Sequence, residues 1–450
     1  MTRRRWTVAL VAALLIIVTV GVLISITGPG RLMMRLFHKP VAGTPAPTAI
    51  PLPSPMPTTE PTSTRPSATP AAEPTDTALP ASPYPATEAS PTEALTVALK
   101  PTQVVPPAQP VDLPAGFGIS VYQRGLRDPR MMAIGPDGHL YVAERGAGRI
   151  VRLPDRDGDG VADAVEVAAS GLSAPSSIAF YRDGSLYVGE TTRVLRLTES
   201  DQPGVFDQAE VIITGLPSGG HNTRTILFSP DGETLFVSVG SSCNVCIEQD
   251  ERRAAIVQYN PDGTGQAIYA QGLRNAVGLA FRPGTDELWA TNNGRDWLGD
   301  DQPPETVYAV GQGDDAGWPR CHAGRIVDPD YGDEEACQGV ALPAVEMQAH
   351  SAPLGLTFYT GEQFPEAYRG DLFVAFHGSW NRSNPTGYKL VRIPIRDGKP
   401  GAVEDFAAGW LRPDGSQWGR PVDVITGSDG SLFVSDDGGG MIYRIFYTGE

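Results

Sequence analysis

Short apolar segments alternate with polar turns along residues 111–450. A turn of the Pro-Asp-Gly type precedes an apolar segment six times, as in Pro136-Asp137-Gly138 before Leu140-Tyr-Val-Ala. Another apolar segment lies before each turn, and a third follows, so each repeat has a first, a middle and a last apolar segment. The middle segments begin at a recurring leucine, at Leu140, Leu186, Leu235, Leu288, Leu372 and Leu432. Strand, turn, strand, turn and strand at a period of about 40–60 residues is typical of β-propeller blades.

Six copies of this unit, without an amphipathic helical pattern between them, predict an all-β protein with a six-bladed β-propeller over residues 111–450. The interval between Leu288 and Leu372 is longer than the others. It predicts an insertion at about 311–350.

The N-terminal segment 1–30 has a different pattern. Trp6 to Thr27 is an apolar run without a charged residue, long enough to cross a bilayer as a helix. Three arginines precede it, which favours a cytoplasmic N-terminus. We expect an uncleaved transmembrane signal anchor, and a cleaved signal peptide remains the alternative. Either interpretation places the propeller outside the cytoplasm, on the membrane anchor in a single-pass protein or secreted after cleavage.

Residues 31–110 form a linker rich in Pro, Thr and Ala. Twenty of the 42 prolines lie between Pro40 and Pro114. Such a segment buries too little apolar surface to offset the entropy of ordering. We expect a disordered, extended stalk without chemistry of its own.

Charge narrows the function classes. Residues 111–450 hold 27 basic and 47 acidic residues, a formal charge of −20. Binding to nucleic-acid phosphates needs a surplus of Lys and Arg, so a nucleic-acid partner is excluded.

In a propeller the innermost strands of all blades begin on the same face, around a central channel, and the loops before them form the mouth of that channel. The blades can be aligned on the last residue of each inner strand to compare these loops. The residues six and seven positions upstream differ among blades. In chain order they are Arg127-Asp128, the bland Ser173-Ala174, His221-Asn222, Arg274-Asn275, Ser351 with His350 beside it, and Gly419-Arg420. A neutral imidazole accepts a proton near pH 7 and guanidinium groups bind carboxylates. The aligned set predicts a cationic, hydrogen-bonding mouth for a small organic anion, a cofactor or a substrate.

Longer motifs carry a family resemblance. They include Gly220-His-Asn-Thr-Arg224, Gly272-Leu-Arg-Asn275, Asn292-Asn-Gly-Arg-Asp296, His377-Gly-Ser-Trp-Asn-Arg382 and Trp418-Gly-Arg-Pro421. With these motifs the stretch 111–450 resembles the PQQ-dependent glucose/sorbosone dehydrogenase family of six-bladed propellers, in its sorbosone-dehydrogenase-like branch.

The resemblance implies an oxidoreductase that transfers a hydride from a sugar or aldehyde-hydrate hydroxyl to pyrroloquinoline quinone (PQQ). It implies His221 as general base, with Arg274 as a second catalytic residue. It further implies a cofactor site formed by Asn275, Asn293, Arg382 and Arg420. The backbone carbonyls of Gly294 and Arg295 would bind a Ca²⁺ that polarises the quinone. The substrate is then a small sugar or aldehyde, and the electron acceptor is unknown.

A second calcium site is predicted away from the mouth. Carboxylates alternate with glycines as at the start of an EF-hand loop, at Asp155, Asp157, Asp159 and Asp163, without a glutamate at the twelfth position. The alternative is a solvated acidic turn.

The four cysteines allow two interpretations. Two local disulfides, Cys243–Cys246 and Cys321–Cys337, suit an oxidising compartment. A four-thiolate zinc site is the alternative.

Two other functions stay open. One is a Ca²⁺-dependent lactonase, which also occurs on six-bladed propellers but needs carboxylates and asparagines around a central metal. The other is a propeller without cofactor that binds carbohydrate or protein.

Overall fold

The computed structural model describes residues 102–449. It contains six four-stranded antiparallel sheets, one for each of the six sequence repeats. The predicted all-β six-bladed propeller is therefore confirmed. The predicted anchor at 1–30 and most of the linker at 31–110 lie outside the described residues, and within 102–449 no helix has the length and apolarity needed to cross a bilayer.

The strands are numbered in chain order, starting with β1 (Phe117–Arg124). Blades I to III each use four consecutive strands, from the innermost to the outermost. Blade I contains β2 (Pro129–Ile134), β3 (Leu140–Glu144), β4 (Arg149–Leu153) and β5 (Glu166–Ser170). Blade II contains β6 (Ser177–Phe180), β7 (Leu186–Glu190), β8 (Arg193–Glu199) and β9 (Phe206–Thr214). Blade III contains β10 (Ile226–Phe228), β11 (Leu235–Val239), β12 (Ala255–Tyr259) and β13 (Ala267–Ala270).

Blades IV and V each have a two-stranded hairpin inserted before their outermost strand. Blade IV contains β14 (Leu279–Phe281), β15 (Leu288–Asn292), β16 (Glu305–Val310) and β19 (Val345–Met347), around the hairpin β17 (Cys321–His322) and β18 (Ile326–Val327). Blade V contains β20 (Pro353–Phe358), β21 (Leu372–Phe376), β22 (Lys389–Ile393) and β25 (Glu404–Ala408), around the hairpin β23 (Ile395–Arg396) and β24 (Lys399–Pro400). Two 3₁₀ turns also occur, at Arg145–Ala147 and Glu366–Tyr368.

Blade VI joins the two ends of the propeller. Its first three strands are β26 (Pro421–Thr426), β27 (Leu432–Asp436) and β28 (Met441–Tyr447). Strand β1 pairs antiparallel with β28 as the fourth strand, from Phe117 opposite Tyr447 to Arg124 opposite Met441. The ring is thus closed by hydrogen bonds between the start and the end of the described chain. Residues before β1 also contact the propeller. The N–H of Val121, in β1, donates to the carbonyl of Val105 at 2.7 Å.

Neighbouring blades pack through an aromatic contact that the repeat itself encodes. In four of the six repeats, the residue after the repeat leucine lies against the aromatic residue that ends the next blade's inner strand. The ring centroids are 4.8–5.8 Å apart in Tyr141–Phe180, Tyr187–Phe228, Phe236–Phe281 and Trp289–Phe358. Such pairs contribute about 0.5–1.5 kcal/mol each beyond the burial of their area. The spacing in the sequence therefore sets the contact between blades.

The inner strands of all six blades surround a central channel of about 250 Å³. A buried apolar cluster of Met131, Val277, Leu354 and Val422 lies where four of these strands begin. The mouth above it therefore has an apolar floor.

The predicted insertion contains the β17–β18 hairpin and ends with β19, the outer strand of blade IV. A disulfide between Cys321 and Cys337 closes it, and a second joins Cys243 to Cys246. Both predicted disulfides are confirmed. No cysteine is left free to form the zinc site.

Candidate active site

The mouth is formed by two sets of chain segments. Antiparallel pairing places the start of each inner strand beside the end of the second strand, as in Pro129 opposite Glu144 and Pro421 opposite Asp436. The loops before the inner strands therefore meet the residues that end the second strands. The site residues predicted from the blade alignment all lie in the first set.

Second-strand residues fix these loops in four blades. Each accepts a hydrogen bond from a backbone N–H of its own blade's mouth loop. The bonds join Glu144 to Arg127 at 2.7 Å, Glu190 to Ser173 at 2.6 Å, Asn292 to Asn275 at 3.1 Å and Asp436 to Arg420 at 2.7 Å. The mouth residues are thus held on backbone that is anchored inside each blade.

His221 is oriented by its Nδ1 atom. This atom lies 3.1 Å from the carbonyl oxygen of Ser241 and 2.9 Å from its Oγ, which itself donates to the carbonyl of Cys243 at 2.6 Å. Both oxygens act as acceptors here, so the neutral ring carries its proton on Nδ1. Nε2 keeps its lone pair and has no polar partner among residues 102–449. Burial, with the charge of Arg274 second, lowers the pKa of His221 to about 4, so the ring is neutral near pH 7.

Arg274 is buried beside His221, but its donors are largely used. Nε donates to the Asn244 carbonyl at 2.9 Å, and Nη1 donates to the Asn293 carbonyl at 3.3 Å. Nη2 donates to Asn244 Oδ1 at 3.0 Å and to Asp296 Oδ2 at 2.9 Å. The expected cationic mouth needs correction here, because Asp296 balances the charge of this arginine.

Asn275 faces His221 across a glycine. A Cβ at Gly240 would lie 2.5 Å from Asn275 Oδ1 and 2.5 Å from His221 Cβ, so any larger residue would push the two side chains apart. The Asn275 amide is nearly buried and makes no hydrogen bond to residues 102–449. It is thus available to a ligand. The neighbouring Asn293 is less available, because its Nδ2 donates to the Pro353 carbonyl at 2.6 Å.

The predicted calcium loop rests on Glu305. This buried carboxylate accepts from the N–H of Gly294 at 2.7 Å and from the N–H of Ala352 at 3.2 Å, and burial raises its pKa to about 7. The Arg295 side chain turns away to ion pairs with Asp328 and Asp330. The carbonyl oxygens of Gly294 and Arg295 accept no hydrogen bond from the described residues.

A second group of polar residues, here called the His377 side, occupies the mouth at blades I, V and VI. His377 Nε2 lies 2.9 and 3.0 Å from the two Asp437 carboxylate oxygens, and Arg130 Nη1 donates to Asp437 Oδ2 at 2.6 Å. Burial raises the pKa of Asp437, but the hydrogen bond and charge of His377 and the charges of Arg130 and Arg420 together bring it below its ordinary value. Arg420 Nε donates to the His377 carbonyl at 3.4 Å, whereas its Nη1 and Nη2 contact no partner among residues 102–449.

Arg382 is placed differently from Arg420. Its guanidinium donates to the carbonyls of Asp300 and Ala349 and to the Asp301 carboxylate, and its Nε donates to the Asn384 carbonyl. These bonds favour a role in fixing the loop at 299–301. The predicted cofactor contact of Arg382 stays a prediction.

The acidic loop of blade I lies outside the mouth, between β4 and β5. One oxygen from each of Asp155, Asp157 and Asp159 lies within 4.8 Å of the others. Asp163 instead accepts from the N–H of Arg156 at 2.7 Å, and Asp155 accepts from Gly160 at 2.8 Å. Calcium binding by these four residues stays a prediction.

The structure thus brings His221, Arg274, Asn275 and the Asn293–Arg295 loop together around Gly240. Their orienting partners Ser241, Asn244 and Asp296 were not predicted from the sequence, and neither His377 nor Asp437 was assigned a role. Ser241, His377 and Asp437 follow the second strands of their blades directly or after one residue. Counting forward from each repeat leucine would have found these three.

Comparisons with known proteins agree with this architecture. The TrAA12-like family model matches residues 111–323 and 327–448. An uncharacterised protein of Borreliella burgdorferi is 37% identical over 232 residues, which are 50% of this chain and 61% of that protein. A pyrroloquinoline quinone-dependent pyranose dehydrogenase of Coprinopsis cinerea is 24% identical over 408 residues, covering 75% of this chain and 55% of that enzyme. The chain thus spans less than two thirds of the length of either relative.

Among solved structures, the Trichoderma reesei protein of carbohydrate-active enzyme family AA12 superposes with a TM-score of 0.66. It is 23% identical, and the match covers 77% of this chain and 100% of that one. At this identity the superposition supports the fold.

Proposed function

Because the chain belongs to the TrAA12-like family, we propose that it is an oxidoreductase that oxidises a sugar or aldehyde-hydrate hydroxyl with Ca²⁺-bound PQQ as cofactor. The observation that carries the proposal is the His221 ring, which is neutral and presents an unshared Nε2 beside Arg274 and Asn275. The C. cinerea relative, a PQQ-dependent pyranose dehydrogenase, supports the cofactor and the substrate class.

His221 is the proposed general base. Its Nδ1–H is held by Ser241, so the ring cannot turn and Nε2 accepts the proton of a substrate hydroxyl. Arg274 keeps a fixed positive charge next to this base. That charge disfavours a protonated His221 before substrate arrives, and it stabilises the negative charge that develops on the substrate oxygen. Asp296 and Asn244 hold the guanidinium in place, so little reorganisation is needed.

The chain's unused donors fit PQQ, which carries carboxylates and ring carbonyls. Arg420 offers the free ends of its guanidinium for a carboxylate, and Asn275 offers an unpaired amide. Gly240 leaves room between His221 and Asn275. When bound, PQQ supplies the two-electron acceptor for the hydride. The free carbonyls of Gly294 and Arg295, above the Glu305 carboxylate, are the proposed Ca²⁺ ligands, and hard oxygen donors are what this ion prefers.

We further propose that the propeller works outside the cytoplasm, tethered by the N-terminal segment. Its two disulfides support an oxidising compartment. The electron acceptor is left open.

The decisive experiment is reconstitution. The full chain is incubated with PQQ and CaCl₂, and reduction of a dye acceptor is followed with a panel of aldoses and aldehydes. We expect saturable PQQ binding and sugar-dependent dye reduction that chelation of Ca²⁺ abolishes. Absence of PQQ binding in the presence of Ca²⁺ would overturn the proposal.

A further inference from the structure

Two tryptophans project from the mouth into solvent. Trp297 and Trp380 expose 65% and 67% of their surface, whereas the other tryptophans within 102–449 are buried or half-buried. Their rings meet edge to face, with centroids 5.1 Å apart and planes at 87°. Exposed aromatic surface of this size is typical of a binding site.

The chain holds the Trp297 loop firmly. Asn244 bonds the backbone of Asp296 from both directions, with Oδ1 accepting from its N–H at 2.7 Å and Nδ2 donating to its carbonyl at 3.1 Å. Trp297 itself has a φ of 72°, a left-handed conformation that costs a bulky residue roughly 1–2 kcal/mol. Such strain persists only where surrounding contacts enforce it.

The Trp380 loop is joined to the first one through the residues next to the two tryptophans. Asn381 Nδ2 donates to Asp296 Oδ1 at 2.7 Å and lies 3.3 Å from His350 Nδ1. His350 Nε2 in turn donates to the Gly299 carbonyl at 2.8 Å. The two rings are therefore exposed but preorganised, which reduces the entropy lost on binding a ligand.

The same hydrogen bonds connect the two tryptophans to the proposed catalytic residues. The Asp296 carboxylate receives Asn381 on one oxygen and Arg274 on the other. The two tryptophans thus border the rim on the side where His221 and Arg274 lie. The rings are exposed whereas Arg274 is buried, so the pair lies on the solvent side of this network.

The local charge restricts the ligand. Asp300 and Asp301 follow the same loop, and the Asp301 side chain is 89% exposed. Arg382, close to Trp380 in the chain, already pairs with Asp301, so this arginine is not free to bind an anionic ligand. A neutral ligand that combines an apolar face with hydroxyl edges is compatible with the indole faces and with the amide and carboxylate groups around them.

We propose that Trp297 and Trp380 form a stacking subsite for a pyranose ring of a neutral oligosaccharide, at a sugar unit other than the one that is oxidised. The C–H face of the ring packs on an indole face, and the perpendicular second indole limits its position. This subsite deepens the proposed function and rests on it for its role as a substrate subsite. The substrate class it implies is a glucan-like or related sugar chain in addition to a free monosaccharide.

The test measures binding without catalysis. The full chain without PQQ is titrated by calorimetry with cellohexaose, maltohexaose and mannohexaose, with D-glucose as the short comparison. Trp297→Ala, Trp380→Ala and Trp380→Phe are compared with wild type. Tyr331→Ala is the matched control, because Tyr331 is an exposed aromatic residue of the insertion. Circular dichroism of each variant checks the fold.

We expect at least one hexasaccharide to bind more tightly than glucose. Each alanine variant should lose about tenfold or more of that affinity, Trp380→Phe should lose less, and Tyr331→Ala should match wild type. Under turnover, each alanine variant should raise KM for the hexasaccharide more than KM for glucose.

The proposal is overturned if no hexasaccharide binds more tightly than glucose. It is also overturned if the alanine variants keep wild-type affinity and instead slow turnover only at limiting electron acceptor. Tryptophan-dependent binding combined with failure to take up PQQ would support the subsite and contradict the proposed function, so the two failures are distinguishable.

Discussion

The two sides of the mouth each carry a buried or half-buried histidine, but opposite ring nitrogens hold them. His221 donates from Nδ1 to a backbone carbonyl and a hydroxyl. His377 donates from Nε2 to the Asp437 carboxylate, which also binds Arg130. The two arginines also differ. The Arg274 guanidinium donates to Asn244 and Asp296, whereas Nη1 and Nη2 of Arg420 have no hydrogen-bond partner among residues 102–449.

The difference separates two tasks. Burial lowers the pKa of His377 more than Asp437 raises it, so the pKa of either histidine lies below its ordinary value. The two rings therefore differ in their partners and in which nitrogen carries the proton. The His221 side thus presents a neutral base next to a cation that is already paired. The His377 side presents an unpaired cationic end on a rigid ionic network, which suits anchoring of an anionic group. On an acidic protein, an arginine at the mouth indicates anion binding only if its donors are not already used.

The largest expected effect tests which histidine is the base. With saturating PQQ and Ca²⁺, His221→Ala should lower kcat about 10²–10⁴-fold, because the hydroxyl proton loses its acceptor. His377→Gln should raise the Kd for PQQ and leave kcat within about tenfold of wild type, since general-base loss costs more than that. Steady-state kinetics at saturating cofactor provide the measurement. A larger kcat loss in His377→Gln than in His221→Ala would reverse the assignment.

The second prediction contrasts the arginines. Arg420→Ala should weaken PQQ binding about 10–100-fold, as expected for a lost charge-assisted hydrogen bond, with no change in unfolding free energy. Arg274→Ala should lower the unfolding free energy by about 3 kcal/mol, because it leaves the Asp296 carboxylate without its buried partner. Urea denaturation and PQQ titration measure the two quantities.

Arg182→Ala serves as control for the arginine pair. Arg182 forms an exposed ion pair with Glu233 and should change stability by less than about 1 kcal/mol. Equal destabilisation by Arg274→Ala and Arg182→Ala would show that the Arg274 network is not the support that the structure indicates.

The smallest expected effect is on the pH dependence of the reaction, at acidic pH only. The pKa of His221 is lowered to about 4 by burial and by Arg274, so its base form persists down to that pH and is lost only below it. The acid limb of kcat/KM should therefore lie near pH 4 rather than near 6.5, the ordinary value for histidine. A pH–rate profile over the range where circular dichroism shows a folded protein tests this. An acid limb near 6.5 would contradict the prediction and point to another titrating group, such as Glu305, whose pKa burial raises to about 7.

Much of the fold could be predicted from the repeat. Leu140 and Tyr141, like their counterparts in later blades, mark the middle strand and supply the aromatic contact to the next blade. Outer strands such as β5 (Glu166–Ser170) escaped prediction because they are half-exposed and carry weaker alternation. The closing strand β1 has no counterpart position in the repeat, so its pairing with β28 was not foreseen.

Part of the candidate site could also be predicted from the repeat. His221, Arg274, Asn275 and Arg420 could be found by counting back from each inner strand. Their partners could not, because Asp296 lies 22 residues after Arg274, and Asp437 is 307 residues from Arg130.

By itself, the sequence determined the number of blades, the aromatic contacts between them and the polar residues that each blade brings to the mouth, because these depend on period and strand direction. The tertiary structure decided how the ring closes and which polar groups remain free. A side chain's availability depends on every partner within hydrogen-bond reach, and at this mouth those partners come from other blades and from distant parts of the chain.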